Sequence, residues 1–342
     1  MFAENIPLKH LHTFHTDVYA RYFASFSGAA SLEALLAERA SLLPGSNLLI
    51  LGGGSNILLT GDYNGLVLKN DIAAIEQVRE DADYVYLKVG AGENWHRFVM
   101  HCIANNLAGV ENLSLIPGSV GASPMQNIGA YGVELKEVFH SLEAMHLQEK
   151  SVHTFSLNDC EFGYRDSVFK KRHKNEFAIL SVTFRLNKQP KFNTSYGAIE
   201  QELKKMGVQE LSIAAISQAV INIRSSKLPD PDVLGNAGSF FKNPTISLSF
   251  FDGLKKKFPS IIAYKVGDDA VKLAAGWLIE QCGWKGIRKG DAGCHSQQAL
   301  VLVNYGDATG KEIYDLSEEI LRSVQDKFGV LLEREVNIVS SE

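Results

Sequence analysis

The chain has 342 residues, 45% of them hydrophobic and 21% charged, with a formal net charge of -5. Such totals describe a folded globular protein of two or three domains and exclude a disordered or fibrous one. The negative balance argues against a nucleic-acid partner, which requires clustered positive charge, and the basic runs at 170–174 and 255–257 do not extend over a second element.

The N-terminal MFAENIPLKHLHTF lacks a basic head followed by an apolar stretch, and no apolar run approaches the ~20 residues of a membrane helix, so the expectation is a cytoplasmic protein with no membrane partner. Cys102, Cys160, Cys282 and Cys294 form no C-x-x-C pair and fit reduced, mostly buried thiols. His10, His12 and His15 are the closest histidine grouping. They read as a partly exposed segment, and no metal is expected.

In chain order, NLLIL at 47–51, ILLT at 57–60, GLVLK at 65–69, YVYLKVGAG at 84–92, FHSLEAMHL at 139–147 and FAILSVTFRL at 177–186 read as strands, being short apolar runs between turn signals. ENWHRFVMHCIANN at 93–106 is the good helix candidate among them, with Trp95, Phe98, Val99 and Cys102 at helical spacing. This block is α+β. NKQPKFNTSYG at 187–197 is polar and turn-rich, the best linker candidate. Beyond it the helical signal strengthens, most clearly at 309–328. There Thr309 and Glu312 make a capping box, Ile313, Leu316, Ile320, Val324 and Phe328 form an apolar stripe, and Gly329 stands at the stop. VLLEREVNIV at 330–339 reads as a final strand.

The turn between the first two of these strands, GGGSN at 52–56, fits neither a P-loop nor a dinucleotide fingerprint, because no lysine follows and no helix opens there. It must act through backbone N–H groups. A second stretch, SLIPGSVGASPMQNIGAYGVEL at 114–135, holds four glycines and little charge. Loops this long inside a compact domain tend to bind something. Together the two could form nests around a pyrophosphate, or they are equally well tight turns between strands.

In RSSKLPDPDVLGNAGSFFKNP at 224–244, Ser239 lies outside the G-x-S-x-G pattern, which disfavours an acyl-enzyme, and a turn serine is most often a backbone cap. Glu333 and Glu335 fall on one face of the last strand, a solvated edge unless that face lines a cleft. Arg165, in FGYRDSVFK, suits a substrate carboxylate, although an ion pair with Asp166 or another acid is the commoner fate.

GGGSN, IPGSVGASPMQNIGAYGVEL, FGYRDSVFK, KLPDP with NAGSFFKNP, VKLAAGWLIEQCGWKG, HSQQALVLVN and LEREV together resemble the UDP-N-acetylenolpyruvoylglucosamine reductase family, in order and spacing, from about residue 47 to 338. The resemblance implies an α+β fold: an FAD-binding domain of the vanillyl-alcohol-oxidase (PCMH) type over 1–190, in subdomains of roughly 1–70 and 71–190, then a substrate-binding domain over 191–342. It implies non-covalent FAD, NADPH as co-substrate, a monomer, and small-molecule substrates in peptidoglycan precursor synthesis. NADPH would give a hydride to FAD, and the reduced ring would deliver it to the enolpyruvyl ether.

Residue by residue, the resemblance makes Ser239 the proton donor, with Arg165 and Glu335 completing the catalytic set. It assigns Gly52, Gly53, Gly54, Ser55, Asn56, Pro117, Gly118, Ser119, Gly121, Asn127 and Gly129 to FAD, and Tyr196, Lys227, Asn243 and Gln298 to the substrate. Tyr196 matches the closing tyrosine of the longer-chain form. Where the family often has Asn-Thr this chain has His12, and Arg334 stands in LEREV where LEPEV is usual; Ser119 and Ala122 occupy variable small-residue positions. The rival readings are an alcohol or sugar oxidase on the same scaffold and a non-catalytic sugar-nucleotide- or flavin-binding protein that kept the fold and lost turnover. Rapid reaction of the reduced flavin with oxygen would favour the first, and a colourless protein that binds the sugar nucleotide the second.

Overall fold

The computed structural model describes residues 2–340. In chain order the elements are strands β1 (Ala3–Pro7) and β2 (Tyr19–Phe26), helix α1 (Ala29–Leu42), strands β3 (Asn47–Leu51), β4 (Ile57–Leu59), β5 (Tyr63–Asn70), β6 (Ile75–Glu80) and β7 (Tyr84–Gly90), and helix α2 (Trp95–Ala104). Short strands β8 (Gly129–Ala130) and β9 (Val133–Glu134) lie within the glycine-rich stretch, followed by β10 (Phe139–His146), β11 (Val152–Ser156), β12 (Phe177–Asn187) and helices α3 (Gly197–Lys205) and α4 (Ile213–Lys227). The remainder comprises β13 (Gly235–Ser239), β14 (Thr245–Ser247), α5 (Leu248–Lys257), β15 (Ala263–Val266), β16 (Ala270–Leu273), α6 (Ala275–Gln281), β17 (Arg288–Lys289), β18 (Ala292–Cys294), β19 (Val301–Asn304), α7 (Gly310–Phe328) and β20 (Asn337–Val339). The fold is α+β, as expected, and none of the described helices is long and apolar enough to cross a membrane.

The chain forms two compact units. One comprises residues up to Asn5, Arg21–Gly53 and Gly65–Ser226; the other comprises Ile6–Ala20, Gly54–Asn64 and the chain from Lys227 onward. The last crossing between the compact units falls after Ser226. The reason is packing: α3 and α4 bury Ile199, Leu203, Ile216, Val220 and Ile223 together, with Tyr131 of the glycine-rich stretch against them.

In the first unit an antiparallel sheet runs β11-β10-β12-β7-β6. Helix α2 forms where the spacing places it, and its Trp95, Phe98, Val99 and Cys102 are buried in a cluster with Phe184 and Leu186 of β12. The Trp95 indole N–H donates to the Leu113 carbonyl at 2.9 Å, which satisfies the one polar group of that ring. A second cluster joins Leu32 and Leu36 of α1 to Phe26, Leu66 and Leu68.

In the second unit sheets run β13-β19-β18-β17 and β14-β16-β15, while β20 pairs with β4 in parallel. Helix α7 has the expected capping box between Thr309 and Glu312, and Gly329 ends it at φ 67°. Its stripe of Ile313, Leu316, Ile320, Val324 and Phe328 is buried. The final strand is shorter than expected: only Asn337–Val339 is regular, and Arg334 makes an isolated bridge to Phe241.

Candidate active site

In the first unit the two glycine-rich stretches touch backbone to backbone. A Cβ on Gly53 would lie 2.7 Å from the Gly118 Cα, and one on Gly52 would lie 2.5 Å from the Ser119 Oγ. At Gly53 the obstacle is backbone, so loop packing alone demands glycine there, whereas at Gly52 the Ser119 hydroxyl would have to turn away. The N–H groups of Val120 and Gly121 donate to the Glu93 and Ala91 carbonyls, each at 2.8 Å. Those of Gly53, Gly118 and Ser119 take no backbone acceptor among the described residues, and the buried Ser119 hydroxyl has no partner. Clustered unmet donors of this kind suit a pyrophosphate. The loops thus fit FAD, and Gly53, Gly118 and Ser119 carry the donors that could hold it.

Other residues expected at the cofactor are engaged within the fold. Asn127 is fully buried at φ 44°; its amide donates to Glu134 Oε2 at 3.1 Å and the Gly163 carbonyl at 3.0 Å, and its Oδ1 accepts from the Lys136 N–H at 3.0 Å. Gly129 gives its carbonyl to Arg165 Nη2 at 2.7 Å. These contacts fix the shape of the loop at Asn127 and Gly129.

The Asp166 carboxylate beside Arg165 in sequence binds Lys171 at 2.5 Å, while Arg165 reaches the Gly129 carbonyl. Arg165 holds φ 53°, and Leu115, Asn127 and Tyr131 are also left-handed at φ 58°, 44° and 50°. Non-glycine residues in that region cost roughly 1–3 kcal/mol each and gather at functional sites. The expectations did not include Arg224, whose Nε donates to the Leu115 carbonyl at 3.1 Å. Burial lowers its pKa, the nearby Tyr131 opposes that shift, and the Arg165 charge adds to it. Burial likewise raises the Tyr131 phenol. Two guanidinium groups and a phenol therefore share one electrostatic neighbourhood, a setting for an anion. Tyr196 is half exposed and meets Tyr131 edge to face at 5.3 Å. Arg224 was missed because IRSSK reads as ordinary helix surface and its neighbours arrive from another part of the chain.

In the second unit a bulge aims Ser239. Asn236 pairs with Val303, but Ser239 pairs with Val301, so one extra residue is accommodated, with Gly238 at φ 68° and its N–H held by Asn236 Oδ1 at 2.9 Å. Bulges of this kind re-aim a side chain beside active sites. The two phenylalanines after Ser239 anchor it: Phe240 and Phe241 are buried, and the Phe240 N–H donates to the Leu300 carbonyl at 2.7 Å.

This segment pairs with the one that carries Glu335. The Glu335 N–H donates to the Phe240 carbonyl at 2.8 Å, and the Lys242 N–H donates to the Glu333 carbonyl at 2.9 Å. Ser239 and Glu335 are thus brought to neighbouring backbones although 96 positions separate them. Glu333 is the solvated member of the pair, 75% exposed and bridged to Lys242 at 3.1 Å. Glu335 is only partly exposed. The third glycine also belongs here: a Cβ on Gly54, at φ 62°, would lie 2.1 Å from the Leu11 carbonyl oxygen. Asn56 donates its amide to the Glu335 carbonyl at 3.3 Å and accepts from the Asn337 N–H at 3.0 Å.

Asn243 accepts the first N–H of α6, from Ala275, at 2.9 Å, so its amide nitrogen is the part left to donate to a ligand. Gln298 Oε1 accepts from the Leu300 N–H at 3.3 Å, closing its own turn. Lys227 is the exposed last residue of α4. His12, expected in a partly exposed segment, is 2% exposed; its Nε2 faces the Thr16 carbonyl at 3.3 Å, and its Nδ1 and the Thr13 hydroxyl are buried without partners. Burial lowers the His12 pKa to about 4.

A family model described as "FAD binding domain" matches residues 37–154, and one described as "UDP-N-acetylenolpyruvoylglucosamine reductase, C-terminal domain" matches residues 230–339. The UDP-N-acetylenolpyruvoylglucosamine reductase of Amoebophilus asiaticus is 51% identical, covering 98% of this chain and 98% of its own. That of Flavobacterium johnsoniae is 48% identical over the same shares. A crystal structure of the UDP-N-acetylenolpyruvylglucosamine reductase from Thermus caldophilus superimposes with a TM-score of 0.67 at 24% identity over 99% of each chain, a likeness of fold. Aligned along nearly its whole length with relatives this similar, the chain belongs to the UDP-N-acetylenolpyruvoylglucosamine reductase family.

Proposed function

We propose that this protein reduces UDP-N-acetylglucosamine enolpyruvate to UDP-N-acetylmuramate, with FAD bound and NADPH as the electron donor, in peptidoglycan precursor synthesis. FAD supplies the means of moving an electron pair from the nicotinamide to the alkene. The other tasks fall to the chain. Hydride addition at the terminal methylene leaves negative charge on the carbon beside the carboxylate, and that charge spreads into the carboxylate as an enolate. A doubly negative group in a water-poor cleft requires prepositioned donors, typically the largest catalytic effect.

Arg165 is assigned the fixed cation and Glu335, in its acid form, a neutral donor that does not repel the enolate. Ser239 gives its hydroxyl proton to the carbanionic carbon. An alcohol is a weak acid, but an enolate is basic enough to take its proton, and a neutral hydroxyl adds no charge during hydride addition. Tyr196, Lys227, Asn243 and Gln298 are assigned to the sugar nucleotide, with Tyr196 as the closing tyrosine of the longer-chain form. By function we divide the chain into an FAD-binding part over 1–190 and a substrate-binding part over 191–342, in a cytoplasmic monomer that serves cell-wall growth, shape and division.

The observation that supports the reading is the backbone pairing of Phe240 with Glu335 and of Phe241 with Arg334, which brings the segment after Ser239 against the segment that carries Glu335 from far along the chain. The test is anaerobic. NADPH should bleach the bound flavin, and colour should return on addition of UDP-N-acetylglucosamine enolpyruvate and not of UDP-N-acetylglucosamine. A flavin that stays bleached with the enolpyruvyl compound overturns the assignment.

A further inference from the structure

The segment that carries Glu335 has little regular backbone pairing, although the Asn56 amide also donates to the Glu335 carbonyl. Two ladder bonds pair it with the Ser239 segment, from Glu335 to Phe240 and from Lys242 to Glu333. Regular strand resumes only at Asn337. So short a pairing specifies register poorly, and a slip of one residue would turn every side chain to the opposite face. Side-chain anchors add to that hold.

Arg334, bridged to Phe241 between those two bonds, directs its side chain to α7. Its Nε donates to the Ser317 hydroxyl at 2.8 Å, its Nη2 donates to Glu318 Oε1 at 2.6 Å, and the guanidinium lies 4.6 Å from the centre of the Tyr314 ring. Ser317 is fully buried, and the Arg334 side chain is 18% exposed, so this anchor is not a loose surface pair. The hydrogen bond from Arg334 also holds the Glu318 carboxyl below its ordinary pKa. A planar fork that makes two hydrogen bonds while stacking on a ring has little freedom left.

We infer that Arg334 is a positioning residue, fastening the Glu335 segment to helix α7 so that Glu335 keeps its register beside Ser239. The inference rests on the functional reading above for the roles of those two residues. Arg334 sits at the non-hydrogen-bonded position of the pairing, where its own N–H is not used by the ladder. A proline there would lose no ladder bond and would restrict the same backbone through its ring. A clamp to α7 and a proline are therefore two ways of fixing one segment.

The experiment follows both half-reactions of the FAD-loaded protein by stopped flow for wild type, Arg334→Ala, Arg334→Lys and Arg334→Pro. The expected result for Arg334→Ala is a loss of roughly 10- to 100-fold in flavin reoxidation by the enolpyruvyl compound, the scale of a small misplacement near the chemistry. Its reduction by NADPH should stay at the wild-type rate. Arg334→Lys should recover part of the loss, and Arg334→Pro most of it. Should Arg334→Ala not fold, Glu318→Ala removes the outer half of the anchor and should slow the same half-reaction by a smaller factor. Wild-type reoxidation with Arg334→Ala, equal slowing of both half-reactions, or Arg334→Pro as slow as Arg334→Ala each overturns the inference. A wild-type protein whose reduced flavin ignores the enolpyruvyl compound is a separate result that overturns the functional reading instead.

Discussion

The side-chain amide of Asn56 donates to the backbone carbonyl of Glu335 across 3.3 Å, which ties the end of the GGGSN turn to the segment that carries the assigned acid. The Asn56 carbonyl is engaged as well, by both the backbone and the side chain of Asn337 at 3.0 Å. Asn56→Ala should therefore cost about 1 kcal/mol of stability, the usual worth of one hydrogen bond, and slow flavin reoxidation by the enolpyruvyl substrate. Denaturant melts and the two half-reactions measure this. If Asn56→Ala weakened only FAD retention and left reoxidation intact, the tie to Glu335 would have no catalytic meaning.

Ser239→Ala should leave reduction by NADPH nearly intact while reoxidation falls by ~10²-fold or more, the scale of general acid catalysis. Comparable losses in both half-reactions would remove Ser239 from the role of proton donor.

Glu335→Gln separates a neutral donor from a carboxylate. If Glu335 acts as an uncharged acid, the amide keeps a donor in place and reoxidation should fall by less than about tenfold, whereas Glu335→Ala should lose roughly 10²- to 10³-fold, as removal of a prepositioned donor does. A glutamine variant as impaired as the alanine variant would mean that the carboxyl oxygen, or its charge, is what the reaction uses.

Much of this was legible because local chemistry dictated it. The Thr309 and Glu312 cap, the apolar stripe of α7 and the stop at Gly329 need no knowledge of the rest of the chain, and they stand where the spacing places them. The turn at 52–56 also reads correctly as a link between two strands, β3 and β4, although these pair with β5 and β20 rather than with each other. What the residues could not reveal depends on distant partners. Asp166 binds Lys171, Arg165 reaches the Gly129 carbonyl, Arg224 finds Tyr131, and the segment before Asn337 leaves regular strand geometry as Arg334 reaches α7. GGGSN reads as one motif, yet Gly52 and Gly53 belong to one compact unit and Gly54, Ser55 and Asn56 to the other. No spacing rule shows that a motif is divided in this way.

Gly53→Ala tests whether loop contact sets the cradle. Its Cβ would meet the Gly118 backbone at 2.7 Å, and backbone cannot rotate aside as a side chain can. The loops must part, so FAD affinity should fall at least tenfold and stability by about 1–3 kcal/mol, as overpacking does. Gly253→Ala on α5 is the matched control: nothing lies within 4 Å of its Cβ, and in a helix interior the change should stabilise by roughly 0.5–1 kcal/mol. Fluorescence titration of apoprotein with FAD, beside denaturant melts, measures both effects. Unchanged FAD affinity in Gly53→Ala would mean that the cradle does not hold the cofactor.

His12 gives stability a pH dependence of known sign. Its pKa is near 6.5 in an unfolded chain and is lowered to about 4 by burial in the fold. The unfolded state therefore takes up the proton first. The contribution is complete above pH 6.5 and is lost as pH falls toward 4, reaching about 2 kcal/mol lost at pH 5. The geometry agrees, because Nε2 faces the Thr16 carbonyl and must donate, which leaves the buried Nδ1 as a lone-pair acceptor in the neutral ring, with nothing beside it to receive a second proton. His12→Asn cannot titrate and should flatten the stability profile between pH 7 and 4.5. Urea midpoints across that range for the two proteins decide the matter. Parallel profiles would place the acid sensitivity elsewhere and deny His12 its buried, neutral state.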